Sequence, residues 1–350
     1  MNSLGEVIET ARRACGMTQG QLAEQSGVTQ AALSRYEHDL RVPNDESVAL
    51  LERALGLASG AIRAIRAIEG ANAIDAHMRR QQTAQATVWR QLEARLNMYR
   101  FHTASILEEV SLTTTRTVPT FDPVVTDAET AARLCRMQWK MPSGPVRNLI
   151  RWVEAAGCIV IEEDFGTGRI DGLSQWINDI PIMLLNVLSP PDRKRLTVAH
   201  ELGHLTMHRK EVSDDVEADA NGFAAEFLMP AEVIRSQMRN LTVGKLHDLK
   251  REWGVSMQAL IERAFGLGLI SSSARADFYK TFSHRGWRKV EPLSDQMAVE
   301  RPELAAHIGQ TLRSRGLTDA EIATVTRFAI GRSDNPFLPS RIAPHLRSVG

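Results

Sequence analysis

Two histidines four residues apart with a glutamate between them, in His200-Glu201-Leu202-Gly203-His204, are the side chains of this sequence best suited to chemistry. On an α-helix, positions i and i+4 share a face about one turn apart. Two imidazoles so placed can ligate one tetrahedral ion, one Zn2+ per chain, while the glutamate reaches a water in the open position as catalytic base. A third protein ligand has to come from elsewhere. Asp214 or Asp215 caps a second helix that runs to Met229 and is stopped by Pro230. Val216, Ala220, Phe223, Phe227 and Leu228 give that helix a buried side, with Glu217 and Asn221 beside the stripe. An antiparallel return brings Glu217 toward His200 and His204. Asp219 and His208 are the alternatives; Asp219 projects to the other side of its helix, and His208 lies a turn past His204. Three ligands with one position left for water mark a catalytic site rather than a structural one.

The elements that must position these groups follow from local signals. Ser189-Pro190-Pro191-Asp192 predicts an N-cap serine, proline at the first helical position and an acid in the first turn. Helices are expected over 127–137 and 145–156, and strands over 158–162 and 181–187. That pattern predicts an α+β unit, a small mixed sheet with helices on one side. Ile182 to Asn186 is the candidate edge for an extended polypeptide. A second helix pair, 243–253 and 256–267 about Gly254, is expected to pack rather than to bind DNA. The tail holds an amphipathic stretch from Thr318 to Ile330, opened by a capping box of Thr318 with Glu321, and then a loop with Pro336, Pro339 and Pro344.

The run Arg193-Lys194-Arg195-Leu196-Thr197-Val198-Ala199-His200-Glu201-Leu202-Gly203-His204, followed by the segment from Glu217 to Pro230, resembles the ImmA/IrrE family of zinc metallopeptidases. The likeness takes in Pro142-Ser143-Gly144-Pro145, Ala155 to Val160, Ile170-Asp171-Gly172-Leu173-Ser174 and Gly286 to Pro292, covering roughly residues 125 to 292. It implies a zincin-like fold, Glu217 as third ligand, and a protease that cuts DNA-binding repressor proteins at a limited site and so relieves repression. Asn221 resembles a group that orients a ligand.

The N-terminus carries a second signal. Ser3 with Glu6 and Thr18 with Gln21 read as capping boxes, Gly16 ends the first helix, Gly27 makes a turn, and Thr29 caps the next helix. Short helices about a glycine turn form a helix-turn-helix. Gly16-Met17-Thr18-Gln19, Leu22-Ala23, Gly27-Val28-Thr29-Gln30 and Leu33 to Glu37 resemble the Xre/Cro repressor family over about residues 3 to 57. In such a domain the helix beginning at Thr29 enters the major groove of an operator in double-stranded DNA. Gln30, Ser34 and Arg35 are the candidates for base contacts, Ala31 for a methyl contact and Gln19 for positioning the backbone. Arg12 and Glu37 match an internal ion pair of the family. Residues 1–57 hold five arginines against eight carboxylates, a balance of −3, so nonspecific phosphate affinity is expected to be weak.

The 350 residues leave room for two or three domains, and equal totals of 42 basic and 42 acidic side chains give no global field toward nucleic acid or membrane. Three cysteines lie outside the metal motif and are expected to be buried thiols. No signal region and no bilayer-length apolar run appear, so a cytoplasmic protein with no membrane partner is expected. Between the two motifs lies a polar helical stretch, with 61–80 rich in alanine, isoleucine and arginine. Trp89, Leu92, Leu96, Tyr99, Thr103, Ile106 and Val110 then alternate spacings of three and four, which fits either the seam of a homodimer or a helix packing on its own chain. Residues 111–123 read as a linker.

The expectation is a mainly α protein with an α+β part. Its regions are a helix-turn-helix domain (1–57), a helical linker (58–120), a peptidase-like domain (121–275) and a C-terminal helical extension (276–350). Three functions compete: a DNA-binding regulator fused to a zinc endopeptidase acting on a repressor-type protein, in trans or on itself; a regulator with a non-proteolytic, metal-sensing site; and an antitoxin-like binding protein.

Overall fold

A computed structural model describes residues 3–65 and 86–338, apart from 111, 113, 210–212 and 214. The alanine-rich stretch 66–80 and the prolines at 339 and 344 lie outside the described residues. The protein is mainly α with one small mixed sheet.

The N-terminal helices are α1 (Leu4–Ala14), α2 (Gln19–Ser26), α3 (Gln30–Glu37), α4 (Asp45–Leu55) and the single turn α5 (Ala61–Ala64). Their starts are set locally. Ser3, Thr18, Thr29 and Asn44 each accept a backbone N–H at the first turn, and Gly27 and Gly56 close α2 and α4 in the left-handed region. Val7, Ile8, Leu22, Leu33, Val48, Leu51 and Leu55 fill the interior of this bundle. Beside it the Arg12 guanidinium donates to Glu37 through Nε (2.6 Å) and a second nitrogen (2.8 Å).

The long helix α6 (Ala86–Leu107) joins this bundle to the rest. Met98 and Phe101 enter the N-terminal core, whereas Trp89, Leu92, Leu96, Tyr99 and Ile106 pack on the sheet together with Val110 beyond the helix. The seam that could have joined two copies is therefore covered by the chain's own strands, and Thr103 is fully buried within it. A stripe of three-four spacing suits a sheet face as well as a partner helix. Residues beyond α6 do not behave as a free linker either. Val118 is buried in the main core, and Phe121 N donates to the Thr206 carbonyl.

The sheet holds β1 (Ile159–Glu163), β2 (Gly172–Ile177) and β3 (Ile180–Asn186) in the order β1-β3-β2. β3 pairs in parallel with β1 and antiparallel with β2, in the register Ile159↔Ile182 and Ser174↔Met183. Strand β2 was not foreseen, and it changes two expectations. β3 is the central strand, so Ile182 to Asn186 offers no free edge; among the described residues the unpaired edges belong to β1 and β2. Helices also cover both faces rather than one. Val160, Met183 and Leu185 face one core, and Ile159, Ile161, Ile182 and Leu184 the other. A strand buried on both faces reads as a continuous apolar run, as 182–185 does.

On the first face lie α7 (Ala128–Gln138), α8 (Leu149–Ala155), α9 (Pro191–Met207), α10 (Val216–Leu228), α11 (Ala231–Gln237), α12 (Val243–Trp253) and α13 (Met257–Gly266), followed by α14 (Ser272–His284). On the second face, beside α6, lie α15 (Leu304–Ser314) and α16 (Asp319–Val325). The tail thus completes a core: Ala305, Ile308, Leu312, Ile322, Phe328 and Phe337 are all buried there. It also clasps the N-terminal bundle, through a Leu57–Phe328 bridge and Arg332 donating to the Leu55 and Gly56 carbonyls. Gly309 allows the close approach of α15 to the segment after α16, since a Cβ there would overlap the Phe337 carbonyl oxygen. Gly309→Ala is expected to cost about 1–3 kcal/mol of stability, as overpacking does; an unchanged urea transition would contradict this packing.

Candidate metal centre

Helix α9 starts differently from the expectation. Pro190 occupies the cap position with Pro191 first in the helix, and no side chain caps it. Ser189 is instead turned away, its hydroxyl donating to Asp171 Oδ1 at 2.7 Å. Asp171 also accepts from Arg193 Nε at 2.9 Å, so the loop before β2 fixes the start of α9. α9 is buried nearly all round, and α10 returns antiparallel along it, its first turn capped by Asp215. The crossing is close because Gly203 lies at it. A Cβ on Gly203 would sit 3.1 Å from Ala220 Cα and 3.2 Å from its carbonyl oxygen. This glycine, inside the motif, lets the carboxylate of α10 reach the histidines.

The outcome is a cluster of three donors. His200 Nε2 and His204 Nε2 are 3.0 Å apart, and Glu217 oxygens lie 3.5 Å from the first and 3.6 Å from the second. Tetrahedral zinc with ligand bonds of about 2.0–2.1 Å separates its donors by about 3.3 Å, so the cluster fits such an ion. His200 Nδ1 is 3.0 Å from Asn221 Oδ1, which orients the ring. Asp219 and His208 do not join the cluster. Asp219 is not directed away from the site, however: its Oδ2 lies 3.5 Å from His208 Nε2. His208 is fully buried, with Nδ1 3.1 Å from His204 Nδ1.

Glu201 is buried beside the cluster, 3% exposed. Its Oε2 accepts from Ser174 Oγ at 2.7 Å. Burial pushes its carboxyl above the usual range, against the pull of His200 and of the serine hydroxyl. Burial likewise pushes the His204 imidazole well below its ordinary value, as do the neighbouring histidines. Ser174 was missed as a site residue, although Asp171-Gly172-Leu173-Ser174 stood out in the sequence. Gly172 explains its reach, because a Cβ there would meet Thr197 Cγ2 at 2.7 Å and hold β2 off α9. Two tyrosines that could have donated at the cluster are engaged elsewhere: Tyr279 donates to Glu262 (2.5 Å) and Tyr99 to Glu163.

A groove of about 660 Å³ extends from Asn221 between α9, α10 and α13, with Leu196, Ala225, Met229 and Ala259 among its lining. The exposed face of α13 forms one wall, so the second helix pair packs against the core and shapes this groove.

In the N-terminal bundle α3 presents Gln30, Ala31 and Arg35 to solvent, with Ser34 half-buried on the same helix. Gln19 is held by its amide, which donates to Glu37 Oε2 at 2.8 Å.

Two imidazoles and a carboxylate on paired helices, with a buried glutamate beside them, are a donor set that could hold a metal ion. Comparison with protein families agrees: residues 153–265 match the IrrE N-terminal-like domain, and residues 8–60 match the helix-turn-helix family. The chain therefore joins an Xre-type helix-turn-helix to an ImmA/IrrE-like domain, the latter match being narrower than the span of 125–292 read from the sequence. No curated protein matches the chain. No described helix is long and apolar enough to cross a membrane.

Proposed function

We propose that this chain is a DNA-binding transcription regulator carrying a zinc-dependent endopeptidase, which cleaves a repressor-type protein and thereby relieves repression. The observation that carries the reading is the convergence of His200, His204 and Glu217 with Glu201 alongside. The family match supplies the peptidase class. Zinc, when bound, makes a water acidic and polarises a carbonyl. His200, His204 and Glu217 hold it, and Asn221 fixes the His200 ring. Glu201 accepts the proton of the attacking water and returns it to the leaving amine nitrogen. Its raised proton affinity suits that exchange, and Ser174 aims the carboxylate. A substrate segment in extended form would add to the outer edge of β2, the strand that carries Ser174, by main-chain hydrogen bonds.

The working units are 1–57 for DNA, 58–120 as connector, 121–275 for proteolysis and 276–350 as the extension that closes the core. Co-expression of the chain with repressor proteins encoded beside it tests the reading. A trimmed fragment that requires an intact His200 is the expected result; unclipped partners throughout would overturn it.

For the DNA-reading unit, Gln30, Ser34 and Arg35 contact bases, Ala31 a methyl group and Gln19 the backbone. Arg35→Ala is expected to weaken binding to a duplex selected from random sequence by about 1–3 kcal/mol and to relax one base preference. Equal affinity and equal preference in the variant would remove Arg35 from the interface.

A further inference from the structure

Helix α9 carries three histidines at intervals of four, and only two of them reach the cluster. The third, His208, caps the end of the helix and is fully buried, meeting His204 at Nδ1, whereas Glu217 lies near His204 Nε2. The rings of His204 and His208 lie 5.3 Å apart, centroid to centroid. His204 Nδ1 and His208 Nδ1 are 3.1 Å apart, so one of them must donate and the other accept. His208 Nε2 is buried and forms no closed hydrogen bond, and Asp219 Oδ2 stands 3.5 Å from it.

The proton positions follow from the ligand role of His204, on which this inference rests. A neutral imidazole carries one proton. If Nε2 of His204 gives its lone pair to an ion, the proton sits on Nδ1 and needs an acceptor. That acceptor is His208 Nδ1, whose own proton is then on Nε2, directed at the Asp219 carboxylate. The carboxylate selects the tautomer of His208, and His208 selects that of His204. Metal-bound histidines ordinarily reach such a carboxylate in one step; here a second imidazole is interposed. Asp219 lies two residues after Glu217, so the helix that supplies the third ligand also anchors the relay.

We propose that His208 and Asp219 are positioning residues, which hold His204 in the tautomer and ring orientation that accept zinc. Neither touches the ion.

Zinc affinity of the full chain, measured by competition with a chromophoric chelator, tests this without reference to proteolysis. His208→Phe fills the space and removes the acceptor, and is expected to weaken zinc binding about 10–100-fold. His208→Asn keeps an acceptor oxygen where Nδ1 was, and is expected to stay close to wild type. The thermal midpoint of the metal-free protein separates a packing role, which would shift midpoints without separating the two zinc affinities. Wild-type affinity in His208→Phe, or equal loss in both variants, would overturn the relay. Should His208→Phe fail to fold, Asp219→Leu decides at a more exposed position: weaker zinc binding supports the relay, and unchanged binding overturns it. A wild-type chain that takes up no more zinc than His200→Ala overturns the metal centre itself, and the relay with it.

Discussion

Glu201→Gln is expected to bind zinc as the wild type does and to lose cleavage by about 10²–10⁴-fold, the span that a positioned general base contributes. The substitution is nearly isosteric in a buried site, and the Ser174 hydroxyl keeps an oxygen to donate to. The three donors of the cluster lie on His200, His204 and Glu217, so metal uptake is expected not to depend on residue 201. What disappears is the lone pair that takes the proton from water. Zinc stoichiometry and the appearance of a trimmed partner protein, scored side by side, check both halves. The regulator with a non-proteolytic, metal-sensing site predicts something different: operator control unaffected by the amide. Cleavage at the wild-type rate in Glu201→Gln would remove the peptidase from the proposed function while leaving the metal cluster in place.

The parts of this fold that local chemistry dictates were the parts legible in the sequence. Caps at Thr18, Thr29 and Thr318 depend on residues within three positions, and the helices start where those residues stand. The two histidines were legible because the helical repeat alone puts them on one face. Glu217 could be placed next to the apolar stripe of α10, and the antiparallel return brought it to within 3.6 Å of both imidazoles.

Long-range placement was not legible. Strand β2 opens with a glycine and has no clear alternation, since Gly172, Leu173 and Ser174 are all buried. Without β2 the sheet order could not be found, and with it Ser174 stayed hidden. The stripe on α6 had the right period but two possible partners, and the chain's own sheet supplies the surface. Helix α15 was missed although Leu304, Ala305, Ile308 and Leu312 have helical spacing, because no side-chain cap marks its start. Asp219 stays out of the cluster, but its neighbour there, the buried ring of His208, was not legible in the sequence.

A lysine on a polar helix turn reads as solvated, yet Lys250 of α12 is fully buried. Its ammonium donates to Asp192 Oδ2 (2.6 Å), Glu291 Oε2 (2.8 Å) and Ser294 Oγ (2.8 Å). Both carboxylates are nearly inaccessible, and both have further duties. Asp192 lies in the first turn of α9 and accepts from Ser294, while Glu291 accepts from the backbone N–H groups of Met257 and Gln258 at the start of α13. One cation thus ties together the beginnings of the metal-site helix and of the groove wall. Lys250→Met keeps the stem and removes the charge, leaving two carboxylates buried without a counter-ion. Breaking a buried pair in this way costs about 3–5 kcal/mol, so the urea transition should move by that amount. Adding Asp192→Asn should restore part of the loss, because the partners are coupled and their effects do not add. A shift below about 1 kcal/mol, the range of a surface pair, would mean that water reaches this cluster and that the start of α9 is held mainly by Asp171 and Arg193.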